Sequence, residues 1–165
     1  MRYFLWIFAV ATLFYSCKPK SYNGMTAAQY IDTLYAIQNA MIVQADSFFQ
    51  AVNFDKYNAE VFYKKALTKQ AESVKSLQQL GAFGKEHAPH LAMQKVCAAM
   101  DTVLQKNGRT LLSWRTIVVN EYNEPLQHRI DSLLTSSILK ITQTQVHYDT
   151  VAVQFLSERG FDVKR

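Results

Sequence analysis

Cysteine is nearly missing from this chain. The two present, Cys17 and Cys97, are too few for a disulfide framework. Glycine and proline are also scarce, at five and three in 165 residues. With no low-complexity tract beside them, a disordered or loop-dominated chain is excluded. Charge of one sign is never concentrated: 18 Lys and Arg stand against 13 Asp and Glu, and the longest basic run is Lys64-Lys65. A nucleic-acid partner is not expected from such scattered charge, because an electrostatic footprint needs basic residues gathered on one face.

Catalytic signatures are absent as well. No Gly-x-Ser-x-Gly elbow and no phosphate-cradling glycine loop occurs, so nothing aims a nucleophile or holds a phosphoryl group. The inward-facing Glu-x-x-His pairs of di-iron bundles and the Cys-x-x-Cys-His of haem attachment are missing too. An enzyme is not expected, and no cofactor is assigned.

What is present begins at the amino terminus. Met1-Arg2 carries one positive charge, Tyr3 to Tyr15 is apolar except for Thr12, and Ser16-Cys17-Lys18-Pro19-Lys20 turns abruptly polar. This is the layout of a secretory signal. Thirteen residues at 1.5 Å each reach about 20 Å, short of the ~30 Å hydrocarbon core, so the segment reads as a leader and not as a permanent span. The phrase Phe14-Tyr15-Ser16-Cys17 resembles the lipobox of bacterial lipoproteins, in the relaxed form of the Bacteroidota, where bulky residues stand at the two outer places. The resemblance implies cleavage before Cys17 and a diacyl or triacyl group on it, which would make the lipid the membrane contact. Lys18, where an aspartate would retain the protein at the inner membrane, and the basic stretch Lys18-Pro19-Lys20, where surface export looks acidic, imply an outer-membrane lipoprotein facing the periplasm. Residues 1–16 are therefore expected to be a signal peptide, 17–25 a lipid-bearing tether and 26–165 one folded domain.

The expected fold class is all-α, an antiparallel up-down-up-down four-helix bundle after the signal segment. Thr26-Ala27-Ala28-Gln29 reads as a capping box opening a helix over 26–52, with Ile31, Leu34, Ile37, Met41, Ala45, Phe48 and Val52 on one stripe. Asp55 is expected to cap a second helix, carrying Tyr57, Val61, Phe62, Leu67, Val74 and Leu77 until Gly81. Glu60 and Lys64 form an i,i+4 pair on it. Gly81 to Pro89 is the clearest loop. A third helix begins by Pro89 or His90, and Leu91, Val96, Ala99, Val103 and Trp114 carry its period, although Asn107-Gly108 is expected to weaken or end it. Leu111 to Val119 then forms either its continuation or a separate piece, and Thr116 to Val119 suits an extended segment. Asn120 to Pro125 is a second break before a long fourth helix, with Leu126, Ile130, Leu134, Ile138, Ile141, Tyr148 and Phe155 as its stripe and Gly160 as its stop. Beyond the lipobox, this helical pattern and the closing phrase Phe155 to Phe161 are similar to small Bacteroidota lipoproteins of unassigned function, a likeness that implies no activity.

A few residues stand out as candidates for chemistry or recognition. His87 and His90, beside Glu86, are the nearest approach to a metal cluster, yet two imidazoles do not complete a zinc site. Met41, Met93, Met100, His128 and His147 are recruitable on paper as haem ligands, and otherwise read as core filler and wet-face histidines. Cys97, within Val96-Cys97-Ala98-Ala99, reads as a small buried hydrophobe. Trp114 and Arg115, with Tyr122 nearby, have the residue types that anchor protein interfaces, and otherwise read as a core tryptophan beside a solvated arginine. The expected function is a non-enzymatic cell-envelope lipoprotein whose bundle binds another protein or an envelope polymer. A small-ligand or haem/metal carrier and an immunity or inhibitor lipoprotein stand as alternatives.

Overall fold

The computed structural model describes residues 21–54, 57–115 and 124–163. It is all-α apart from one small hairpin, β1 (Ser21–Tyr22) and β2 (Met25–Thr26). Four long helical stretches follow: α1 (Ala27–Phe54), α2 (Ala59–Leu80), a composite stretch, and α5 (Glu124–Ser157). The composite stretch joins α3 (Ala88–Thr102), a π-helical segment (Val103–Gly108) and α4 (Arg109–Arg115). Among the described residues, no helix is long and apolar enough to cross a membrane.

The hairpin departs from the expectation of a tether reaching residue 25. Asn23 and Gly24 both adopt positive φ, 50° and 75°, which is the two-residue turn that Asn-Gly favours between antiparallel strands. Ser21 pairs with Thr26 and Tyr22 with Met25, so the folded domain starts at least as early as Ser21. The predicted capping box forms next: the Thr26 amide donates to Gln29 Oε1 (2.9 Å) and the Gln29 amide to Thr26 Oγ1 (3.2 Å).

Cross-helix contacts fix the directions of the helices. Tyr30 at the start of α1 donates its hydroxyl to the Gly81 carbonyl beyond the end of α2 (2.9 Å), while Phe48 packs at a tilt against Tyr63 near the start of α2 (5.2 Å between centroids). These two helices are antiparallel. Gln70 Nε2 donates to the Cys97 carbonyl and the Tyr63 hydroxyl to that of Leu104, so α2 and the composite stretch are antiparallel too. Asn107 Nδ2 donates to Ser137 Oγ (2.9 Å), and Tyr35 donates to Asp149 (2.9 Å), which sets α5 against both the composite stretch and α1.

The apolar period of each helix is present, but in three helices its phase differs from the expected stripe. Val61, Leu91 and Ile138 were expected to face inward and are about half exposed. Residues beside or near them are buried instead: Tyr63, Gln70 and Ser73 on α2, His90 on α3 and Ser137 on α5. The reason is steric. Small and hydrogen-bonding residues on the inner face let the backbones approach, as where Gln70 reaches the Cys97 carbonyl and Ser137 meets Asn107.

Asn107-Gly108, expected to weaken or end the third helix, does not end it; the chain widens there into the π segment and continues. Gly108 is buried, and a Cβ on it would stand 3.0 Å from the Tyr63 ring and 3.2 Å from that of Phe48. The glycine is thus the price of aromatic packing, not a break. The expected cap Asp55, the Thr116 to Val119 segment and residues 120–123 of the second break lie outside the described residues. Glu124 and Pro125, expected in that break, form the first turn of α5. At its other end, Gly160 (φ 75°) donates to Ser157 and Phe161 to Leu156, the paired bonds of a Schellman stop.

Candidate functional site

The bundle has two unlike ends and an open groove along its side. One end holds the hairpin, the α2–α3 loop and the turn that closes α5, so Ser21, four residues after Cys17, enters here. Phe83 from the loop packs against Tyr22 (5.9 Å), Tyr30 (5.3 Å) and Phe155 (5.5 Å). Gly84 (φ 62°) must be glycine on two counts, since a Cβ there would also lie 3.2 Å from the Tyr22 ring. Over this aromatic cluster lies Arg159, whose buried guanidinium sits 3.7 Å from the Phe155 centroid and donates from Nη1 to the Phe155 carbonyl. Its Nη2 stands 3.5 Å from the partly exposed Glu86 carboxylate.

His87 and His90 belong to this end but do not converge. His87 is exposed at the start of α3, whereas His90 is buried in its first turn with Nδ1 lacking a partner. Burial pulls the His90 pKa down, partly opposed by a hydrogen bond to the Gly81 backbone and reinforced by His87. Among the described residues, no group of three or more His, Cys, Asp and Glu is placed to hold a metal ion. Met41, Met93 and Met100 are core residues, while His128 and His147 are exposed on α5, so these five are not brought together. Cys97 is buried with Sγ 3.9 Å from Met41 Sδ, and burial pushes its thiol up to about 11, away from nucleophilic use at neutral pH.

The far end contains Trp114 and Arg115; Tyr122 lies outside the described residues. Arg115 is a helix cap, its guanidinium donating to the carbonyls of Val52 and Asn53 at the end of α1 (2.7 Å to Asn53). Trp114 is half-buried against the core and lines a shallow depression with His128, Arg129 and Leu133. Two residues missed as surface candidates dominate this end. Phe54 and Tyr57, on either side of the α1–α2 turn, are 88% and 86% exposed. Tyr57 was expected in the α2 stripe; the signal that could have separated it is its place before Asn58, outside the helix.

The groove runs between α2 and α3 with a volume of about 540 Å³. Leu67, Ala71, Val74, Leu77 and Ala98 make it apolar, and Gln78, Gln94, Asp101 and Gln105 add polar groups. Gln70, only 3% exposed, also lines it, and its Oε1 has no partner. Comparison with protein-family models, with curated proteins and with solved structures finds no match.

Proposed function

We propose that the chain is a non-enzymatic cell-envelope lipoprotein, held on a membrane through acylated Cys17 and presenting its bundle to a protein partner. The observation that carries the reading is the separation of the two ends. The chain enters the domain at Ser21, beside the lipobox-like phrase, while Phe54 and Tyr57 stand exposed at the opposite end of α1. Twenty-eight residues of α1 at 1.5 Å put these ends about 42 Å apart. Phe54 and Tyr57, at 88% and 86% exposed, add little packing to the core, and tyrosine, like tryptophan and arginine, is enriched among the anchors of protein interfaces. Arg115 supports the same surface by holding the last carbonyls of α1, which steadies the backbone that bears Phe54. The basic residues after Cys17 favour the periplasmic face of the outer membrane.

The test is cross-linked capture from native membranes with the wild-type protein and with Phe54→Ala/Tyr57→Ala. A partner captured by the first and lost by the second, with the far-UV spectrum unchanged, supports the reading. Equal capture by both removes the far end from it.

A second reading, a carrier of a small apolar ligand, draws on the α2–α3 groove, whose size suits one. It predicts a bound small molecule in native mass spectra that Ala98→Trp, at an exposed position lining the groove, displaces.

A further inference from the structure

The outer face of α5 carries a heptad. Leu139, Val146 and Val153 stand seven residues apart, the first two 55% and 59% exposed and the third partly exposed. Ser136, Gln143, Thr150 and Ser157 interleave with them at three- and four-residue steps, all exposed, which completes an a/d pattern over three heptads. At about 100° per residue, this stripe lies roughly opposite the side that buries Ile130, Ile141, Tyr148 and Phe155, so it faces directly away from the core. None of its seven residues is charged. Three of its hydroxyls are already bonded within the helix: Ser136 donates to the Leu133 carbonyl (3.0 Å), Thr150 to that of Val146 (2.9 Å) and Ser157 to that of Gln154 (2.9 Å). Covering these three therefore orphans no hydroxyl donor, and the stripe can leave water at little cost.

A helix with the same heptad is the occupant that fits, and a second copy of this chain supplies one. Paired parallel and in register, Leu139, Val146 and Val153 meet their own counterparts. Gln143 meets Gln143, an amide pair whose donor and acceptor satisfy each other only at equal height, the way an amide at an a position fixes register. The flanks agree. In a parallel pair each g residue faces the e residue five places on in the other helix, which sets Thr135 beside Lys140, Thr142 beside His147 and Asp149 beside Gln154, with no two like charges together. An antiparallel pair would instead bring Lys140 toward His147. We infer that α5 is the seam of a parallel homodimer, closed by a two-fold axis along the helix. Three heptads are short for a free-standing coiled coil, which puts the pairing at the weak, reversible end of specific contacts. Because α5 ends on the side of the hairpin, the parallel arrangement also sets both copies of Ser21 at one end, compatible with two tethers on one bilayer. The pairing itself does not rest on the lipid.

The experiment is disulfide trapping of the full chain in intact host cells under a mild, membrane-permeant oxidant, with Leu139→Cys on the stripe and Val61→Cys on α2 as an exposed control. Cys97 is buried, and the wild-type chain sets the background. In an antiparallel pair Leu139 would face Thr150, so a self-link at 139 reports the parallel register. The expected result is a linked product of twice the chain's mass, containing this chain alone, at Leu139→Cys and not at Val61→Cys. Its yield should fall by at least about tenfold when Val146→Glu is added, because the seam would then bury two unpaired carboxylates. Val146→Lys should give the same loss, and both variants should keep the wild-type far-UV spectrum, since position 146 is exposed. No product at 139 above that at 61, a product containing another protein, or a yield unmoved by either charge at 146 overturns the inference.

Discussion

The Tyr63 hydroxyl donates to the Leu104 carbonyl across 3.1 Å, joining the early part of α2 to the π segment of the composite helix. The same ring lies against Gly108 and packs at a tilt against Phe48, so one tyrosine connects α1, α2 and the widened turn. Asn107, within the same segment, donates to Ser137 on α5. The π segment is therefore a packing device at the junction of four helical stretches.

Gly108→Ala is expected to destabilise the protein. Alanine would gain about 1 kcal/mol of helix propensity over glycine, but its methyl would press on two buried rings, an overpacking that typically costs about 1–3 kcal/mol. Tyr63→Phe should lose about 1 kcal/mol through the unmade hydrogen bond to Leu104. Urea unfolding midpoints check both, and a higher midpoint for either variant contradicts this packing.

The sequence made the helices legible and their phase less so. Thr26-Ala-Ala-Gln29 and Gly160-Phe161 announce the start of α1 and the stop of α5, because caps are local and act through neighbouring amides. Val61, Leu91 and Ile138 misled, since a period of 3.6 tolerates a stripe shifted by one or two residues, and apolarity alone favoured the wrong ones. Inward Gln70 and Ser137 meet partners 27 and 30 residues away, and no local pattern reveals those. The aromatic tip was half legible. Trp114-Arg115 lies at the same end as Phe54 and Tyr57, but Arg115 caps α1 across 63 residues of chain, and Phe54 looked like one more member of an apolar helix.

Stability should fall as the solution is acidified through the range of histidine. Burial lowers the His90 pKa in the folded state, so the unfolded chain takes up this proton first. The contribution is therefore fully present above the unfolded value of about 6.5 and is lost as pH drops from there toward the lower folded value. Urea midpoints compared at neutral and mildly acidic pH measure the slope. His90→Phe is expected to flatten it, and an unchanged slope in that variant would assign the effect elsewhere.

Arg159 is expected to resist its conservative replacement. A lysine keeps the charge but loses the planar group lying over Phe155 and the Nη1 bond to its carbonyl, so Arg159→Lys should cost about 1–2 kcal/mol. Arg159→Met removes the buried charge with its unpartnered Nε and should cost less than the lysine variant. Thermal unfolding of the two side by side tests the order, and the reverse ranking would mean that the Glu86 pairing dominates.

Tyr148→Phe should be neutral or stabilising by up to about 1 kcal/mol. The hydroxyl is buried without a partner, whereas the ring, edge-on to Tyr35 at 5.2 Å, is retained by phenylalanine. A loss above that magnitude would show that the hydroxyl is satisfied in solution.

Lipid on Cys17 is the proposal on which the envelope reading depends, and intact mass of the protein taken from native membranes decides it. A mass equal to Cys17–Arg165 plus acyl groups is the predicted result. The unmodified 165-residue chain, at 18.9 kDa, would contradict it and leave the hairpin-bearing end without an anchor.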